Sequence, residues 1–153
     1  MEVRLAEQKD IKQLIRMRWD NTILFDESKK DASYEEFELE CQAFLEQALR
    51  NGQWFIWVAV ENGKIVSHIY IVLVNKVPRP GRITHPFAYM TNVYTLPEYQ
   101  NKGVGSKILS RIHEWVKEQA YEFVIVWPSE EAVNYYRKNG YVECTDPMIY
   151  KPY

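Results

Sequence analysis

The chain has little that would cross a membrane, hold a metal or build a disulfide framework. Across its 153 residues no apolar run approaches the ~20 residues that a bilayer-spanning helix needs. The opening residues MEVRLAEQKD carry no apolar core of a secretory leader. Cysteine is nearly missing. Cys41 and Cys144 stand far apart with no metal-ligand spacing, so the sequence predicts no metal and reduced thiols in a cytoplasmic protein. An excess of charge of one sign is also missing. Nineteen Lys and Arg oppose 21 Asp and Glu, a formal charge of −2 that gives no reason to expect nucleic acid or an anionic membrane as partner. Repeats, linkers and low-complexity stretches are absent too, which leaves one domain over residues 1–153, large enough for a real core. What the chain does have is aromatic side chains, 14% of it, with five Trp and eleven Tyr; most suit core and strand positions and some a pocket.

The most informative stretch is TNVYTLPEYQNKGVGS, residues 91–106. The residues up to Thr95 read as a strand, and Pro97, which has no backbone N–H, ends it. Ile108, Leu109, Ile112, Trp115 and Val116 follow at the spacing of one apolar helix face. Gly103 and Gly105 therefore lie where that helix begins. Strand, tight turn and helix N-terminus together aim several N–H groups and the positive end of a helix dipole at one spot, where a phosphate or pyrophosphate is the natural occupant. A Walker loop is absent, and a dinucleotide fingerprint fails because Ile108 stands where the third Gly belongs.

Elsewhere the pattern predicts a first strand at 2–6 and a helix through Ile11, Leu14, Ile15 and Trp19. Residues 20–32 show no periodicity and read as a loop. Ser33 and Glu36 form a capping box for a second helix, with Phe37, Cys41, Phe44, Leu45, Ala48 and Leu49 as its apolar stripe. Strands are expected at 53–60, too apolar to be one-sided, and at 64–74, joined by the hairpin signal Asn62-Gly63. A Pro-rich loop at 75–86 precedes a fourth strand at 87–95. A fifth, buried strand is expected at 122–127. Ser129 reads as the cap of a last helix ended by Gly140, and 141–144 with 148–153 read as closing strands. The predicted class is mixed α/β in the order β-α-α-β-β-β-α-β-α-β-β.

Gln100-x-x-Gly103-x-Gly105, with NVYTLPEYQ ahead of it and SEEAVNYYRKNGY behind, resembles the signature of the GCN5-related N-acetyltransferases. The element order resembles that fold over nearly the whole chain. The resemblance implies a mixed, mostly antiparallel sheet flanked by helices, whose fourth and fifth strands splay apart to admit the pantetheine arm of acetyl-coenzyme A. It implies that Val93, Tyr94 and Thr95 bind pantetheine through their main chain. Gln100, Asn101, Lys102, Gly103, Val104, Gly105 and Ser106 would hold the pyrophosphate. Ser129 stands where the family commonly has an Asn that contacts pantetheine. The activity implied is acetyl transfer from acetyl-coenzyme A to a primary amine of a small molecule, with a homodimer compatible with it. Peptide or protein N-acetylation, and a non-catalytic coenzyme A-binding module, are the alternatives.

Such a reaction needs a neutral amine, a donor for the developing oxyanion and a proton for the departing thiolate. By resemblance Tyr136, four residues before Gly140-Tyr141, is the acid, and a backbone N–H near Tyr94 is the oxyanion donor. Tyr135, rotated by roughly 100° on the helix, faces elsewhere. The base is open: the fourth strand has no carboxylate, so a water held by Tyr89, Thr91 and Asn92, or His68, or His85, would take the amine proton. Residues 20–46 hold nine acidic residues against Lys29 and Lys30, an excess that would favour a cationic acceptor if this segment rims its site.

Overall fold

The computed structural model describes all of residues 1–153. Five strands form one sheet in the order of the chain: β1 (Glu2–Leu5), β2 (Trp54–Glu61), β3 (Lys64–Val74), β4 (Phe87–Thr95) and β5 (Val124–Ile125). All neighbours are antiparallel except β4 and β5, which run parallel. Helices α1 (Ile11–Phe25) and α2 (Tyr34–Ala48) cover one face. Helix α3 (Val104–Glu118) and the short α4 (Val133–Lys138) cover the other.

Both faces of β2 are buried, which explains its unbroken apolar run. Ile56 and Val58 join Leu14, Ile15 and Leu45 under α1 and α2, while Trp57 and Ala59 join Ile108, Leu109 and Ile112 under α3. Asn62 and Gly63 both take positive φ, 52° and 76°, as a tight hairpin of type I′ requires. Ser33 caps α2, its Oγ accepting from the Glu36 N–H at 3.2 Å. No helix is long and apolar enough to cross a membrane.

Three sequence expectations give way. Residues 20–25 are helical and not loop. Leu24 and Phe25 are exposed, so this part of α1 has no burial pattern to read. It is held by bonds within the helix: Arg16 to Asp20 at 3.1 Å, and the Thr22 hydroxyl on the Arg18 carbonyl at 2.9 Å. The fifth strand is only two residues long and half-buried, because β4 offers it only the pairs Ala88–Val124 and Tyr89–Ile125. The closing strands at 141–144 and 148–153 do not form. So short a β5 presents no ladder to extend, Pro147 and Pro152 remove donors, and Val142, Met148 and Ile149 stay exposed.

Candidate active site

The site is built on the free edge of β4. Leu96 donates its N–H to the Val66 carbonyl, so Leu96 and, two residues back, Tyr94 turn their main chain toward β3. On the other side of the strand, Ala88 donates to Phe123. Between these points the register slips: Thr91 faces Tyr70 and Tyr94 faces His68, leaving Asn92 and Val93 together opposite Ile69. This is a wide bulge, with Asn92 at φ 49°. Because β5 pairs no further than Tyr89, the outward main-chain groups beyond it, at Val93 and Thr95, have no strand beside them. Thr95 is steadied from behind by Ser67, whose Oγ lies 2.9 Å from the Thr95 Oγ1 and donates to the Tyr94 carbonyl at 3.1 Å.

Beyond β4 the chain makes one short helical turn at Pro97–Tyr99 and then bends into α3. Gln100 does not project freely; its Nε2 donates to the Thr95 carbonyl at 3.0 Å, tying the turn to the strand end. Asn101 and Gly103 are both left-handed, at φ 60° and 79°. The N–H groups of Asn101, Lys102, Gly103, Val104, Gly105 and Ser106 reach no acceptor in the protein, and the first helical bond is Lys107 to the Gly103 carbonyl at 3.0 Å. Consecutive unpaired N–H groups at a helix start form an anion receptor. The space above Gly103 is open, with no heavy atom within 4 Å of where a Cβ would stand. The Lys102 ammonium lies 5.9 Å from the centre of the Tyr99 ring.

Helix α4 approaches this turn from the side. Tyr135 donates its hydroxyl to the Gly105 carbonyl at 2.8 Å. The neighbouring Tyr136 is 6% exposed, packed between Tyr135 and Tyr141 with ring centroids 4.9 and 5.4 Å away. Burial alone pushes its pKa up to about 12, so the phenol keeps its proton. Ser129 begins the short turn Glu130–Ala132 ahead of α4, and its hydroxyl caps nothing.

The structure separates the base candidates from one another. His68 is fully buried; its Nδ1 donates to the Asn92 carbonyl at 2.9 Å, and its Nε2 has no partner. Burial, assisted by the Arg18 charge, lowers its pKa to about 4 against the pull of that carbonyl. It is a neutral strut under the bulge. His85 is exposed and lies two residues before β4 begins, at the opposite end of the strand from the turn. Tyr89 stacks edge-on against Trp127, and Thr91 is half-buried. Asn92 Oδ1 accepts from Arg18 Nη1 at 3.2 Å. Arg18 and Asn139 are site-facing side chains that sequence patterning did not single out, and Tyr135, expected to face elsewhere, reaches the anion turn.

The sequence model of the acetyltransferase (GNAT) family matches residues 12–141. No curated protein matches the chain. Among solved structures, a predicted acetyltransferase of Clostridium acetobutylicum, crystallised with acetyl-CoA, is 24% identical with a TM-score of 0.79 and covers 98% of this chain and 95% of that one. A GCN5-related N-acetyltransferase of Ralstonia eutropha JMP134 is 23% identical with a TM-score of 0.76, covering 99% and 97%. Glucosamine-6-phosphate N-acetyltransferase of Arabidopsis thaliana is 20% identical with a TM-score of 0.73, covering 98% and 97%. At these identities the likeness is one of fold.

Proposed function

The chain belongs to the acetyltransferase (GNAT) family, and from that premise we propose that it moves the acetyl group of acetyl-CoA to a primary amine of a small molecule by direct attack. The run of unpaired N–H groups from Asn101 to Ser106 carries this reading: it fits a pyrophosphate, and the unpaired β4 edge beside it fits the amides of a pantetheine arm. In this role acetyl-CoA supplies the activated thioester. The outward N–H groups at Val93 and Thr95, either side of Tyr94, are available to the arm and to the developing oxyanion. Tyr136 holds at its hydroxyl the proton that the departing sulfur takes. Gln100 holds the turn against the end of β4, and the uncommitted hydroxyl of Ser129 is offered to the arm. A free-thiol assay with acetyl-CoA against small amines, polyamines, amino-sugar phosphates and peptides tests the assignment. Turnover with small amines and none with peptides is the expected result; turnover confined to peptides, or coenzyme A binding without turnover with any amine, rejects it.

A second reading of the acceptor rests on Arg18. Its guanidinium stands at the bulge with no carboxylate within ion-pair distance, and it suits an acceptor that carries a carboxylate or phosphate beside its amine. The acidic residues of α2 favour a polyamine instead, so the same panel, run at two ionic strengths, separates the two charge classes.

The amine's own ionisation is expected to govern the pH dependence. His68 is sealed and His85 is remote, which leaves proton removal to water beside Thr91 and Asn92. The value of kcat/KM should therefore rise about tenfold per pH unit up to the pKa of the acceptor amine. Two acceptors of different amine pKa should move the inflection with them. An inflection that stays in the histidine range for both would restore a protein base.

A further inference from the structure

Resting on the reading of residues 100–106 as the pyrophosphate turn, we propose that Tyr135 and Asn139 are positioning residues that set this turn as a receptor for phosphate. They stand four residues apart, Tyr135 within α4 and Asn139 just past its end, and both reach across to the first turn of α3. Tyr135 donates to the Gly105 carbonyl at 2.8 Å, which fixes the rotation of the Gly105–Ser106 peptide and hence the aim of the Ser106 N–H. The approach is close: a Cβ at 105 would stand 2.9 Å from the Tyr135 hydroxyl and 3.1 Å from its ring, so a side chain there would have to displace the tyrosine. Burial raises the Tyr135 pKa, so the hydroxyl remains a donor.

Asn139 acts on the other group of the same turn. Its Nδ2 donates to the Tyr135 carbonyl at 2.7 Å and to Ser106 Oγ at 3.2 Å. With one lone pair of Oγ filled by Asn139, the Ser106 proton is left to point away from α4, toward the mouth of the turn. Asn139 thus makes Ser106 a donor, which is the polarity an anionic ligand requires. Neither residue touches the thioester, so their effect should be confined to the phosphate end of the donor.

Acetyl-pantetheine carries the same thioester without the pyrophosphate and gives the test. Wild-type protein should show a much lower KM for acetyl-CoA than for acetyl-pantetheine. Tyr135→Phe should raise KM for acetyl-CoA roughly tenfold, the scale of one lost hydrogen bond, with kcat and both constants for acetyl-pantetheine unchanged. Asn139→Asp, which accepts where Asn139 donates and turns the Ser106 proton inward, should do the same or more. In a Ser106→Ala background it should lose the part of its effect that runs through the hydroxyl. Equal losses with both donors, or no change with either, overturn the inference while leaving the pyrophosphate assignment standing. A wild-type protein that does not distinguish the two donors removes the assignment itself, and the inference with it.

Discussion

Replacing Tyr136 with Phe is expected to lower kcat by about 10²-fold or more, the usual span for loss of a general acid, with affinity for acetyl-CoA little changed. The substitution keeps the ring that packs between Tyr135 and Tyr141 and removes only the hydroxyl. No protein partner of that hydroxyl is lost, since burial alone accounts for its raised pKa. Loss of activity in a protein of unchanged melting temperature therefore reports on proton donation. Because the phenol titrates only at about 12, kcat should also show no alkaline fall from this group through the usual assay range. Thiol release under saturating donor and acceptor, with coenzyme A affinity taken by calorimetry, checks both statements. Wild-type kcat in the variant, with chemistry rate-limiting, would remove Tyr136 as the acid. The contrast with Tyr135→Phe is the sharpest internal control: one variant should change kcat, the other KM.

Gly103→Val should abolish coenzyme A binding. Gly103 sits at φ 79°, where a β-branched residue is strained, by about 1–2 kcal/mol in the left-handed region. More important is the open space over the turn, which the valine side chain would fill. A phosphate held by several charge-assisted hydrogen bonds would then be kept off its donors, a loss of about 10²-fold or more at 1.5–3 kcal/mol for each bond. Circular dichroism should show the fold retained, because no neighbouring atom is displaced. Unchanged calorimetric affinity in the folded variant would take the pyrophosphate out of this turn.

The parts of this molecule that were legible in the sequence are those whose cause is local. Asn62-Gly63 marks its hairpin, and the apolar run of 64–74 coincides with β3 from end to end. The two glycines of the turn stand out because α3 has the most regular apolar face in the chain. The last turn of α1 was hidden because Leu24 and Phe25 face solvent and no apolar stripe marks it. The tail after Tyr141 misled for the opposite reason: its apolar residues promise a strand that has no neighbour to pair with. At the site, Arg18 reaches Asn92 from 74 residues away, and Tyr135 and Asn139 matter only because α4 happens to press on Gly105. Such meetings are products of tertiary packing, and no spacing within one segment announces them.

The extra residue at Asn92 also changes the reading frame of β4. Before it, Ala88 and Met90 point into the layer beneath α3; after it, Tyr94, an even number of residues further on, lies in the layer beneath α1 and α2. Val93 falls to the α3 side instead. Two residues of β4 share the one step opposite Ile69, so on either side of the bulge the strand keeps in step with β3, where Ile71 and Ile69 lie in the α3 layer and Tyr70 in the other. A chain lacking Asn92 would run Thr91, Val93, Tyr94 in plain alternation, with Val93 and Tyr94 each still in its present core. The packing of β4 does not need the extra residue; what it alters is the free edge, at the place where β4 has left β5.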